Sequence, residues 1–503
     1  MKLKQFLFSA ALLASMNAIG QSVPTHEMYV DFGITERTDI VSALDKWQPG
    51  DNFSNDPDYQ DENFFISRVP LKSRFINQNT QANKNLNEEN NKNLCWCSPI
   101  GEMTKKWGPM PRYNFDGDNF NMWQYINIHA NWSNTWFRVP GTFNDVAHKN
   151  GVRTGCLYFI DWAEQVSATS SAGKMLAELC AKDGSGNFKY ARKLIQFLKY
   201  YGIDGLGLNP EGYWSTQLNE DFSSFLAECH KVAKEMNHPF HVEWYAFVSN
   251  TGGLNDNGCK LEIGANDKWF HKNGNPVTDV FFLNYNWSES GLQTSAEAAK
   301  SLGRSTYDVY AGFDQQGRGY GKYGNAGWTA LMRQPVSIVV WGAHDRSQLY
   351  AGSTEGGNSD LSVQNEYQKK QELLFTGGSR NVLRTPDITD DAITSSYSDL
   401  AKWHGYSKAV IEESALTELP FVTRFNLGNG LSFSKDGVVT FEHKWYNLGL
   451  QDLLPTWRWW IDNGDGTTIP ADPINCDFTF DDAWFGGSCL KLHGATSKSN
   501  IRL

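Results

Sequence analysis

The sequence predicts an α/β protein, a (β/α)8 TIM barrel followed by a β-rich, β-sandwich-like C-terminal segment. Three observations carry this. Seven short apolar runs recur along the middle of the chain, at 125–132, 152–162, 202–211, 240–247, 280–287, 309–313 and 336–341, with an eighth at 421–425. Amphipathic stretches such as 190–201 and 219–236 separate most of them, as expected for parallel strands joined by helical crossovers. The tail differs: 438–443, 457–461, 477–480 and 488–492 read as short strands with turn residues between them and no helix. A doubly wound open sheet is the rival to the barrel. It rarely needs eight repeats, and no Gly-rich dinucleotide or phosphate loop follows the first run.

Taken in order, the chain opens with Lys2 and Lys4 ahead of an apolar run from Phe6 to Leu13 and then small residues. This predicts a signal peptide over residues 1–20, cleaved after Gly20, and a protein exported to the periplasm or the extracellular space. Residues 21–119 read as a loop-rich N-terminal extension. Gln81–Asn93 repeats Asn among Lys and Glu, and Cys95–Asp118 is dense in Trp, Pro, Gly and Met. The catalytic barrel is expected over 120–430. Residues 431–503 form the β-rich segment, either a truncated sandwich or a small sheet packed on the barrel.

The composition bounds the function. With 503 residues, 14% aromatic, 20% charged and a formal charge of −11, the chain is too aromatic to be disordered. It is also too acidic for nucleic acid or an anionic membrane to be its main partner. No later segment has the uncharged length of a transmembrane helix, so no membrane insertion is expected. Of the eight cysteines, Cys476 and Cys489 in the strand-rich tail are the pair expected to bridge. No metal or other cofactor is expected, because Cys95 with Cys97 and His238 with His241 lack partners at ligand spacing.

Barrel enzymes react at the carboxyl ends of their strands. In the run 202–211, alternation puts Gly205, Gly207, Asn209 and Glu211 on one face, with Leu206 and Leu208 on the other. With the leucines toward the helices, Asn209 and Glu211 crown the barrel; otherwise the strand merely ends in polar residues. An amide two residues from a carboxylic acid suits substrate-assisted glycoside cleavage. There the sugar's own 2-acetamido oxygen is the nucleophile, and the protein supplies one acid and one group to orient the acetamide.

On these residues the chain resembles glycoside hydrolase family 85, the endo-β-N-acetylglucosaminidases. The motifs that carry the resemblance are Asn209-x-Glu211, Ala147-His148-Lys149-Asn150-Gly151-Val152, Trp244-Tyr245, Asn284-Tyr285-Asn286-Trp287 and Gly312-x-Asp314-x-x-Gly317-Arg318-Gly319. The segments 419–428 and 451–455 fit as well. The resemblance implies hydrolysis of the β-1,4 bond between the two core GlcNAc residues of N-linked glycans on glycoproteins or glycopeptides. It implies Glu211 as acid and base, Asn209 as the acetamide holder and Tyr245 as the phenol that meets the acetamido oxygen. Asp161, Trp162, Trp244, Asn284 and Trp287 are the expected sugar-binding residues, with Asp314 and Arg318 a scaffold ion pair. Two departures stand out: Ala246 and Phe247 follow Trp244-Tyr245 where the family has Asp and Ser, and a tryptophan is replaced near Asn255. The rival readings are a family 18-like chitinase, whose middle aspartates Gly207 and Asn209 replace, and a non-catalytic glycan-binding protein, which would have no need of Glu211 beside Asn209.

Overall fold

The computed structural model describes residues 40–50, 66–98, 120–131, 136, 139, 141–318, 326–342, 361–378, 384–390, 400–454, 460–470, 474–494 and 499–502, less positions 77, 79, 80, 256, 257, 401 and 467. The expected signal peptide lies outside the described residues.

Eight parallel strands close into a barrel: β1 (Leu94–Ser98), β2 (Ile128–Asn131), β3 (Arg153–Ile160), β4 (Gly205–Pro210), β5 (His241–Tyr245), β6 (Val280–Phe282), β7 (Val309–Asp314) and β8 (Ser337–Trp341). β8 pairs with β1 through Val339 opposite Cys95, which completes the ring. The expected (β/α)8 fold is therefore present, but its ends are corrected. The barrel opens at Leu94 rather than near residue 120, and 421–425, expected as the eighth strand, is not a strand. Asn209 and Glu211 consequently stand at the end of the fourth strand in chain order. β1 escapes a sequence reading because its inward residues are Cys95 and Cys97, set between an Asn-rich loop and a Trp/Pro/Gly-rich one. Its outward Leu94 and Trp96 join the core between strands and helices.

The helices follow the capping rules. Ser170, Ser215 and Ser288 each accept a backbone N–H with the side-chain oxygen at the starts of Ser171–Leu179, Thr216–Glu235 and Glu289–Ser301. Gly202 ends Ala191–Tyr201 in the left-handed region at φ 73°, turning the chain directly into β4. Between β5 and β6 a 3-10 turn, Asp267–Trp269, and a short hairpin replace the usual helix. At the opposite end from the strand tops, His148 at the end of the helix Gly141–Lys149 bonds Asp204 at 2.8 Å and the Val69 carbonyl at 2.7 Å. Burial opposes charge on this imidazole, but the Asp204 carboxylate and the Val69 carbonyl outweigh it and raise its pKa. The His148 position of the Ala-His motif thus ties a helix end to the root of β4.

After residue 428 the chain forms antiparallel pairs: Asn429–Gly430 with Trp445–Tyr446, Phe433–Lys435 with Val438–Phe441 and Phe485–Gly486, Trp460–Asp462 with Asn500–Arg502, and Ile474–Thr479 with Cys489–Gly494. Cys476 and Cys489 do not bridge; neither is in a disulfide. The ladder sets Cys489 opposite Thr479 and Cys476 opposite Leu492. That leaves the two cysteines about 10 Å apart along the strands, beyond disulfide reach.

Gln451 fastens this segment to the barrel. Fully buried, it accepts from the Trp123 indole N–H at 2.7 Å and donates to the carbonyls of Phe120 at 3.0 Å and Leu427 at 3.1 Å. Gln451→Leu would leave all three groups buried and unpaired, at ~1–3 kcal/mol each. The expected loss of stability is about 3 kcal/mol or more in a denaturant titration. A change under about 0.5 kcal/mol would show that the clamp is dispensable.

Candidate active site

Parity along β4 and β5 builds the site. Gly205 pairs with His241 and Gly207 with Glu243, and all four face the barrel interior. His241 Nε2 and Glu243 Oε1 are 2.9 Å apart, and both side chains are buried. They fill the space beside the glycines: a Cβ on Gly205 would overlap the imidazole, and one on Gly207 would sit 3.0 Å from Glu243 Oε2. The glycines therefore let a buried acid and imidazole plug the barrel floor, and the next inward residues, Asn209 and Tyr245, emerge side by side above it.

At the top of β4 the Asn209 amide donates from Nδ2 to Glu211 Oε2 at 2.8 Å. Glu211 is partly buried. Burial holds its carboxyl above the usual range, the Asn209 hydrogen bond pulls the other way, and the charge of Asp161 adds to the rise. Tyr245 is buried, and burial with the neighbouring Glu211 carboxyl pushes its phenol far upward, so it stays a hydrogen-bonding group. Tyr285, just beyond β6, is raised in the same way by burial, Tyr245, Asp314 and Glu211.

The other sequence candidates divide. Asp161 and Trp162 leave the end of β3 at the mouth, both exposed; Trp162 is 59% accessible and meets Phe247 edge-on at 5.3 Å and 75°. Phe247 leans on Tyr245 at 5.1 Å and 32°, and Tyr245 meets Phe282 at 4.9 Å. This continuous aromatic wall beside Glu211 suits the apolar face of a pyranose. Asn284 is nearly buried, and its Oδ1 accepts the Asn286 N–H at 3.1 Å, shaping the loop after β6. Asp314 lies 3.9 Å from Arg318, whose guanidinium bonds Asn286 Oδ1 at 2.7 Å and covers the Tyr285 ring at 5.7 Å.

Two expected sugar-binding residues are corrected. Trp244 points out of the barrel and stacks on Trp269 at 3.9 Å and 15° in the helix-side core. Trp287 is fully buried, its indole N–H donates to the Gly312 carbonyl at 2.9 Å, and its ring packs on Phe313 at 5.6 Å. Neither offers a face to a sugar. Tyr285 and Phe247 line the mouth instead; neither is among the expected site residues, and their signals in the sequence are the Asn284-Tyr285-Asn286-Trp287 motif and the departure at Phe247.

A closed parallel barrel with a partly buried acid, an amide and two phenols at its strand tops has the layout of a barrel glycosidase. The chain belongs to glycosyl hydrolase family 85, whose model matches residues 104–433. Among its relatives is a Gallus gallus protein named cytosolic endo-beta-N-acetylglucosaminidase, 23% identical over 97% of this chain and 57% of its own length. The Homo sapiens protein of that name is 23% identical over 75% of this chain and 43% of its own. The chain thus spans about half the length of the curated relatives it matches. The crystal structure of the Endo-D glycoside hydrolase domain from Streptococcus pneumoniae R6 superimposes with a TM-score of 0.73 at 25% identity, covering 90% of this chain and 65% of that one. The relatives' names also correct the periplasmic or extracellular location expected from residues 1–20, since the matched animal proteins are named cytosolic.

Proposed function

We propose that the protein is an endo-β-N-acetylglucosaminidase that cleaves the β-1,4 bond between the two core GlcNAc residues of N-linked glycans, with retention, through an oxazolinium intermediate. The observation that carries this reading is the Asn209–Glu211 hydrogen bond at the top of β4. With Oε2 engaged by the amide, Glu211 has Oε1 for the proton it gives to the leaving GlcNAc oxygen as the C1–O bond breaks. The substrate's acetamido oxygen attacks C1 in the same step. Asn209 would hold and polarise the acetamide, and Tyr245 would hydrogen-bond its oxygen as charge develops. Glu211 then takes a proton from the water that opens the oxazolinium, which restores the acid and releases the sugar with its original configuration. Trp162, with Phe247 behind it, would stack on a sugar ring, and Asp161 would meet a hydroxyl.

The raised pKa of Glu211 sets the pH dependence. The first step needs the protonated acid, so kcat/KM should fall as pH rises through that elevated pKa, on an alkaline limb displaced upward from an ordinary carboxylate. A profile flat from mild acid to pH ~9 would remove Glu211 from the acid's role. The function itself is tested by mass spectrometry of a high-mannose glycoprotein after treatment. Retention of a single GlcNAc at each site supports the reading, and an intact glycan or a bare Asn overturns it.

A further inference from the structure

Asp161 follows β3 and Glu211 follows β4. These strands pair in parallel with Ile160 opposite Pro210, so the next residue of each leaves the barrel as the other's neighbour. The two strand ends are then tied together. The Ala163 N–H donates to the Glu211 carbonyl at 2.8 Å, and the Glu164 N–H donates to the Asp161 carbonyl at 3.2 Å. Ala163 takes the left-handed region at φ 62°, uncommon for a residue with a Cβ, which turns the chain back sharply enough to make both bonds. The main chain of the two acidic residues is thereby held side by side.

Two carboxylates so placed do not charge independently: the one that ionises first raises the cost of ionising the other. Asp161 is exposed to water and Glu211 is partly buried, and burial together with the Asp161 charge raises the Glu211 pKa. Among the described residues, the other groups that face Glu211 are Asn209 on its own strand, Tyr245 from β5 and Tyr285 from the loop after β6, and none of these is a cation. Arg318 directs its charge to Asn286 and the Tyr285 ring, with Asp314 beside it.

We propose that Asp161 is a positioning residue whose negative charge keeps the proton on Glu211 until the glycosidic oxygen takes it. This rests on the reading of Glu211 as the acid. Asp161→Asn retains a hydrogen-bonding side chain of the same shape and removes only the charge, whereas Asp161→Glu retains the charge.

The test measures two things on the full chain. One is the alkaline limb of kcat/KM on a glycopeptide. The other is the carboxyl titration of Glu211, followed by NMR on protein labelled with carboxyl-13C glutamate and assigned by the signal lost in Glu211→Gln. In Asp161→Asn both midpoints should fall by about half to one pH unit at low salt, and the difference should shrink in molar salt. Asp161→Glu should keep both near the wild-type values. A Glu211 midpoint that does not move in Asp161→Asn overturns the proposal. A midpoint that moves in a wild-type background unable to cleave glycopeptide upholds the carboxylate pairing and overturns the glycan reading instead.

Discussion

Glu211→Gln should abolish glycan release, with kcat/KM down by about a thousandfold or more. The substitution keeps the side chain's shape and an oxygen for the Asn209 amide to bond, so the barrel should be intact. What disappears is the transferable proton. A general acid in this role supplies about 10²–10⁴ in rate, and here the same residue must act twice, first as acid and then as base. Asp161, whose charge acts on Glu211, is held just beyond the neighbouring strand by the Ala163 and Glu164 turn and cannot replace it without breaking that turn. Release of glycan from a denatured glycoprotein checks the prediction, with a matched melting temperature to exclude unfolding. Activity within tenfold of wild type would place the acid elsewhere.

Asn209→Gln should fail at a different point. The longer side chain carries its amide about 1.5 Å further from the backbone, so it cannot both bond Glu211 and hold the acetamide. Formation of the oxazolinium should drop by about a hundredfold or more, as when an oriented donor is lost from a developing charge. A synthetic sugar oxazoline has already passed that step. The variant should therefore still transfer such a donor to a GlcNAc acceptor, because Glu211 remains to activate the acceptor hydroxyl, yet it should hydrolyse the product slowly. Equal losses with the oxazoline and the natural glycan would mean that Asn209 supports Glu211 rather than the acetamide. Near wild-type hydrolysis would remove it from the reaction.

The centre of the barrel could be read without a structure because β4 announces itself. Glycine at alternate positions, apolar residues between them and Asn-x-Glu at the end state a face, a depth and a top in ten residues. Parity applied equally to β5 would have turned Trp244 outward, since Glu243 and Tyr245 on either side of it face in. Trp287 is different. It lies beyond β6, where strand alternation no longer applies, and only the packing of Phe313 and the Gly312 carbonyl decides that it is core. β1 was hidden because a five-residue strand with two inward cysteines has no apolar alternation to detect. Its place in the ring comes from hydrogen bonds to β8 and β2, partners far from it in sequence.

The indole of Trp162 has an optical consequence. Among the described residues, Trp162 and Trp484 are the exposed tryptophans, while Trp123, Trp136, Trp244, Trp269, Trp287, Trp328, Trp403 and Trp445 are fully buried. These eight are shielded fluorophores that a small quencher such as acrylamide reaches poorly. Among the described residues the two accessible rings stand one at the barrel mouth and one on the C-terminal segment. The difference in quenching between the wild type and Trp162→Phe isolates the emission of the mouth, and a sugar stacked on Trp162 would register as protection from the quencher. Occupancy of the site can then be followed by light, with no turnover required.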